Sequence, residues 1–333
     1  MQITLIFHEQ PKGIGQLALV ISQQSMKFKI IYMLYWIVWT SPSLWGQAGP
    51  IAHQPIEIAL VSDTQAPLGI ETLWHKSHQN KLATKKIFET ISLQKPTALL
   101  ILGDVVSLGS QESKWKEMDQ YLSHLRSQGI SIAALLGNHD LMYSSSKGEA
   151  AFLKRFPDQV NTGFYKVYDS IAFLMLNSNF KTLSQDQQNK QLAYYTQTLQ
   201  ALDTDPAIVC VVVSCHHSPY SNSSVVGSNQ TVQQAFVPAY LLSKKAKLFV
   251  TGHSHHFEHF KKNGKDFLTL GGGGGLHQSL VKSEKRILSE SKDYDPEFHY
   301  LSLSRRGNQL YFQSKYLDDS FQRFENGYHF IVK

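Results

Sequence analysis

The chain has 333 residues, of which 42% are hydrophobic, 11% aromatic and 17% charged. That balance excludes a disordered polyelectrolyte and supplies core for one large domain or two ordinary ones. The formal charge of +6 comes without a run of like charge, which excludes a nucleic-acid-binding arm, and the two cysteines, Cys210 and Cys215, exclude a disulfide-built scaffold.

Residues 26–48 read as a secretory signal peptide. Lys27 and Lys29 form a basic head, residues 30–39 are an unbroken apolar run, and Pro42 ends it. Gly46 and Ala48 then place small residues just before a cut after Ala48. The apolar run is well short of the roughly 20 residues a spanning helix needs, so no membrane span is expected in the mature chain. Translation is expected to begin at Met26. The protein is expected to be secreted or periplasmic after cleavage near Ala48, with residues 49–333 forming one domain.

Five short apolar runs follow, each ending in polar, chemically able residues. Residues 56–61 run into Asp63 and Gln65, and residues 97–102 into Gly103 and Asp104. Residues 130–136 run into Gly137, Asn138, His139 and Asp140. Residues 207–213 run into Ser214, Cys215, His216 and His217, and residues 247–250 into Gly252, His253 and His255. Apolar runs of this length suit parallel strands buried on both faces. Helical spacing of apolar residues marks 78–94, 112–127 and 187–202. Alternating strands and helices predict an α/β fold, a central β-sandwich of mixed sheets flanked by helices. Ligand sites in such sheets gather at the carboxyl ends of strands, so all five polar clusters are expected on one rim.

Further along, Asn263-Gly264 predicts a hairpin over 258–270, and residues 306–308 predict a second one. The run Gly271 to Gly275 lacks the strand–loop–helix setting of a nucleotide loop, and is expected to let backbone pass close beside the site. Cys210 and Cys215 are an odd number apart on one predicted strand, so they face opposite ways and stay unbonded. His256 and His259 are expected at the surface or on the hairpin. Tyr220 and Asn222, with His217, are candidates for the substrate mouth.

Singly, each cluster is a cap or a turn. Together they supply carboxylates, amides and imidazoles that gain nothing from burial unless cations bind them. The ordered set Asp63-x-Gln65, Gly103-Asp104, Gly137-Asn138-His139-Asp140, His216-His217 and Gly252-His253-x-His255 resembles the calcineurin-like metallophosphoesterase superfamily. The resemblance implies a catalytic domain with two divalent ions, such as Mn, Fe or Zn. Asp63, Gln65, Asp104 and His255 would hold one ion. Asp104, Asn138, His216 and His253 would hold the other, with Asp104 bridging. A hydroxide between the ions would attack a phosphate mono- or diester in line. His139 would donate a proton to the phosphate or leaving group, and Asp140 would orient its ring. Gln65 stands where the family usually has His, a weaker neutral donor. Ser107 stands where the purple acid phosphatase branch carries Tyr, which argues against a ferric-tyrosinate site. The strand end favours His216 as the ligand; the His-x-Pro spacing to Pro219 favours His217. A metal-dependent protein that holds a phosphorylated ligand without turnover is the alternative reading.

Overall fold

The computed structural model describes residues 56–69, 78–282 and 286–333; the signal-peptide segment lies outside them. The first sheet begins with β1 (Glu57–Val61), followed by α1 (Asn80–Gln94), β2 (Ala98–Ile101), α2 (Glu112–Ser127), β3 (Ser131–Ala134) and α3 (Ser145–Arg155). The second sheet takes β4 (Phe164–Tyr168), β5 (Ile171–Met175), β6 (Cys210–Ser214), β7 (Ala246–Thr251), β8 (Phe257–Lys262) and β9 (Lys265–Leu270). Between them run α4 (Gln185–Thr204), α5 (Gln230–Ala235) and α6 (Val237–Leu242). The chain then returns to the first sheet with β10 (His299–Arg306), β11 (Gln309–Leu317) and β12 (Phe324–Val332).

Strand order is β12-β11-β10-β1-β2-β3 in one sheet and β4-β5-β6-β7-β9-β8 in the other. β1, β2 and β3 pair in parallel, as do β5, β6, β7 and β9. Each parallel strand is apolar on both faces because both faces are covered. Leu60, Leu100, Val212 and Leu248 meet between the sheets. On the outside of the first sheet, Val61, Leu99 and Ile101 pack under Ile87, Trp115 and Leu122 from α1 and α2. On the outside of the second, Val211, Val213 and Phe249 pack under Tyr195, Leu199 and Tyr240 from α4 and α6. The layers are α/β/β/α, as the alternation predicted.

The one expected rim is composite: the five polar clusters end strands of two different sheets. Those ends adjoin, since Gly252 N–H donates to His216 O at 2.9 Å and His253 N–H to the Asp63 carboxylate at 2.9 Å. Both hairpins form, with Asn263 and Gly264 at φ 50° and 75° as a two-residue turn requires. Cys210 packs between the sheets and Cys215 on the helix side of the second, both free. His256 and His259 correct the surface expectation. Both are buried, His256 against Glu258 at 2.8 Å and His259 against Asp266 at 2.9 Å, because β8 is covered on both sides.

Candidate metal centre

The strand ends place two carboxylates in nearly complete burial: Asp63 is 0% and Asp104 1% exposed. Two donor groups form around them. Asp104, His216 and His253 each offer an atom within 4.8 Å of the others, and so do Asp63, Asp104 and His255. Asp104 belongs to both. His216 Nε2 lies 3.2 Å from Asp104 Oδ2 and 3.2 Å from Asn138 Oδ1. His255 Nε2 lies 3.3 Å from Asp63 Oδ1 and 3.3 Å from Gln65 Nε2. The structure thus gathers Asp63, Gln65, Asp104, Asn138, His216, His253 and His255 in one place.

Local backbone explains how the loops reach this arrangement. Asp63, Asp104 and His253 have φ of 58°, 49° and 66°, the left-handed region that costs a non-glycine residue about 1–2 kcal/mol. Glycines make the room. A Cβ on Gly137 would stand 2.1 Å from Asp104 Oδ1, and one on Gly252 1.8 Å from Ser62 Oγ and 2.5 Å from Asp63 Oδ2. The run Gly271 to Gly275 passes where expected: Gly273 and Gly275 donate to Ser62 O and Asp63 O, each at 2.9 Å.

Ring orientations follow from backbone carbonyls. His216 Nδ1 sits 2.9 Å from Leu102 O, and His255 Nδ1 2.7 Å from Leu276 O. A carbonyl only accepts, so each ring carries hydrogen on Nδ1 and turns Nε2 to the carboxylates, as an N–H without cations and as a lone pair for a bound ion. Charge is unsettled here without cations. Burial raises the Asp104 carboxyl, but His216, His139 and His253 overcome it and hold the group below the ordinary carboxylate range. Burial opposes charge on His216, yet Asp104 and Asp63 drive it up to about 9. Burial with His217 and His216 nearby holds His253 well below the ordinary histidine range.

The residues fit a pair of divalent ions. The donors are hard oxygens and imidazoles, two carboxylates are buried together, and Gln65 Oε1 is buried with no hydrogen-bond partner. An amide turned over presents that idle oxygen to Asp104 and His255, which Gln65 Nε2 now faces at 3.5 and 3.3 Å.

His139 and Asp140 follow Asn138 on the same loop. His139 N–H donates to Asp104 Oδ1 at 2.7 Å, and its ring Nδ1 lies 3.2 Å from Ser107 O. The Asp140 carboxylate is taken up by amides: Val105 and Val106 on Oδ1 at 3.0 and 3.2 Å, and Gly137 on Oδ2 at 2.9 Å. Burial and Asp104 push its carboxyl up to about 7 against those amides. The mouth residues also separate. His217 Nδ1 meets Ser178 Oγ at 2.8 Å, and its ring stacks at 4.4 Å on His253. Tyr220 instead packs on Phe267 and Phe260 in the helix-side core. Asn222 is buried, bound to Glu258 through both its backbone and side-chain nitrogens and to both backbone groups of Ile287. Ser178 was missed in the sequence reading, although residues 171–176 are another apolar run that ends in polar residues, Asn177-Ser178-Asn179.

The four-layer fold thus carries a shared-carboxylate donor set at its strand ends. The model for calcineurin-like phosphoesterases matches residues 56–257, and the chain belongs to that family, which works with two divalent metals. Among solved structures it is similar to purple acid phosphatase PPD1 from yellow lupin (Lupinus luteus) seeds, with TM-score 0.62 and 13% identity. That match covers 84% of this chain and 53% of the lupin chain, so this chain spans about half of it. It is similar to GAP50, the anchor in the inner membrane complex of Plasmodium, with TM-score 0.58, 16% identity, and 84% and 88% coverage. It is also similar to a dimetal phosphatase from Danio rerio, with TM-score 0.53, 11% identity, and 84% and 99% coverage. At these identities the likeness is one of fold. No curated protein sequence matches the chain. No helix among the described residues is long and apolar enough to cross a membrane.

Proposed function

We propose that the protein is a secreted or periplasmic phosphoesterase that hydrolyses phosphate mono- or diesters at this centre. The carrying observation is the pair of donor groups that share Asp104. Asp63, Gln65, Asp104 and His255 hold one ion, and Asp104, Asn138, His216 and His253 the other. Bound there, two divalent ions supply a water acidified to near neutrality and neutralise the phosphate oxygens.

The chain's own groups do the rest. The backbone N–H of His217 donates to Ser178 Oγ at 3.0 Å, and His217 Nδ1 meets the same hydroxyl at 2.8 Å. With the serine hydrogen given to Nδ1, the ring carries its own hydrogen on Nε2. Burial, with His216 adding, pushes His217 down to about 3, so the ring is a neutral N–H donor for a phosphate oxygen. Ser107 O accepts from His139 Nδ1, which orients the ring, and a proton carried on Nε2 is the one given to the leaving oxygen. Asp140 fixes the loops that carry Asp104 and His139 and acts as a positioning residue. The basic and apolar segments of residues 27–39 support export, and amino-terminal sequencing of exported protein should find a start just after Ala48.

The test is hydrolysis of p-nitrophenyl phosphate and bis(p-nitrophenyl) phosphate after Mn²⁺ reconstitution. Asp104→Asn, which removes the shared charge, should lower kcat by about 10³-fold or more. Tight phosphoester binding by metal-loaded protein without turnover of either ester would favour a binding protein instead.

A further inference from the structure

A cleft of about 610 Å³ opens between the first turns of α1 and α2. Gln65 and Ser107 are among the residues that line it. Gln65 belongs to the donor set, and the Ser107 carbonyl anchors His139. The cleft therefore borders the centre beside Gln65 and the loop that carries His139.

Its outer walls carry Lys81, Lys114 and Lys116 against one carboxylate, Glu117. Among the described residues none of these three lysines is in an ion pair, whereas nearby Lys85 and Lys154 are paired with Glu89 and Glu112. Glu117 is occupied by the Tyr121 hydroxyl at 2.7 Å. Neither helix has a side-chain cap at its N-terminus, and Glu112, in the first turn of α2, is held by Arg155 and Lys154, so the remaining first-turn amides add to the positive potential. Unpaired ammonium groups beside uncapped helix starts favour an anion.

We propose that this cleft binds a second, distal phosphate carried by the leaving group, so that small bisphosphorylated esters are the preferred substrate class. This rests on the phosphoesterase reading above. Lys114 and Lys116 come from one helix and Lys81 from the other, and together they take the distal phosphate while the scissile one meets the donor set. The distal contact is made equally before and during reaction, so it lowers KM more than it raises kcat.

The experiment compares fructose 1,6-bisphosphate with fructose 1-phosphate and fructose 6-phosphate, each scaled to p-nitrophenyl phosphate on the same protein. The bisphosphate should exceed both monophosphates by about tenfold or more in kcat/KM, mainly through KM, as charge-assisted contacts predict. The triple variant Lys81→Gln/Lys114→Gln/Lys116→Gln should erase that ratio. Turnover of p-nitrophenyl phosphate with no bisphosphate preference, or a preference that survives the triple variant, overturns the cleft assignment and leaves the phosphoesterase reading intact. Calorimetric binding of fructose 1,6-bisphosphate to EDTA-treated protein reads the cleft without turnover. Wild type should bind at least about tenfold more tightly than the triple variant; equal affinity overturns the proposal.

Discussion

Asp140→Asn separates two roles for one residue. In the wild type the buried carboxylate accepts three amides, Val105 and Val106 after β2 and Gly137 after β3. It ties together the loops that carry Asp104 and His139. An asparagine has one acceptor oxygen. With that oxygen toward Val105 and Val106, its NH₂ faces the Gly137 N–H; turned over, it leaves two amides without an acceptor. The loss is one hydrogen bond to a charged acceptor, about 1.5–3 kcal/mol, plus an unsatisfied buried donor, about 1–3 kcal/mol, so roughly 3–5 kcal/mol in all. Urea unfolding at pH 8 in EDTA is the assay, since the carboxyl titrates near about 7 and is ionised there. At a slope of about 3 kcal/mol/M the midpoint should fall by about 1–1.7 M. If Asp140 served instead to orient the His139 ring, the midpoint would hold while kcat collapsed. That outcome would refute the loop-tying role.

Three further outcomes follow from other contacts. Asn222→Ala should cost about 3 kcal/mol in thermal or urea unfolding, because it strips buried Glu258 of its side-chain partner at Oε1, while KM for p-nitrophenyl phosphate stays unchanged; a raised KM at unchanged stability would return Asn222 to the substrate mouth. Gly148→Ala places a Cβ 2.1 Å from the Asp140 carbonyl oxygen, a backbone atom that moves only with the site loop, so it should cost about 2 kcal/mol or more and also lower kcat; full stability would show that α3 has slack there. Burial opposes ionisation of Asp203, but the amides of Lys245 and Lys244 and the Ser243 hydroxyl hold its carboxyl below the usual range. A depressed folded pKa stabilises the protein above the unfolded value of about 3.9 and that stability is lost as pH falls through the folded one. Asp203→Ala should therefore be less stable than wild type at pH 7, and the gap should close in unfolding measured below about pH 4.

The ends of β1, β2, β3, β6 and β7 were legible in the sequence because strands buried on both faces leave no polar letter until they stop. β5 obeys the same grammar, running into Asn177-Ser178-Asn179, and the Ser178 hydroxyl meets His217 Nδ1. Partners that are backbone carbonyls had no letter to read. Leu102 O and Leu276 O orient His216 and His255, and Ser107 O faces His139, by virtue of where the chain passes. The contacts of Asp140 were unreadable for a related reason. Adjacency to His139 suggested a dyad, but the turn from Asn138 to Met142, closed by Leu141 N–H to Asn138 O and Met142 N–H to His139 O, returns its carboxylate to the amides. Tyr220 and Asn222 follow the His216-His217 strand end, yet the chain folds them against β8 and β9.

The centre itself is built against local preference. Three of its residues sit at positive φ, two carboxylates share a buried space, and an amide oxygen is left idle. The strain and the idle oxygen go unrepaired in the cation-free fold, while the carboxylates are offset there by His216 and His255 at 3.2 and 3.3 Å. A sequence that kept such a cluster for stability alone would have to outweigh all three with packing, whereas two cations relieve two of them at once by neutralising Asp63 and Asp104 and giving Gln65 Oε1 a partner. The strain at Asp63, Asp104 and His253 is then what turns their donors inward, since a relaxed extended backbone would carry alternate side chains to opposite faces of the sheet.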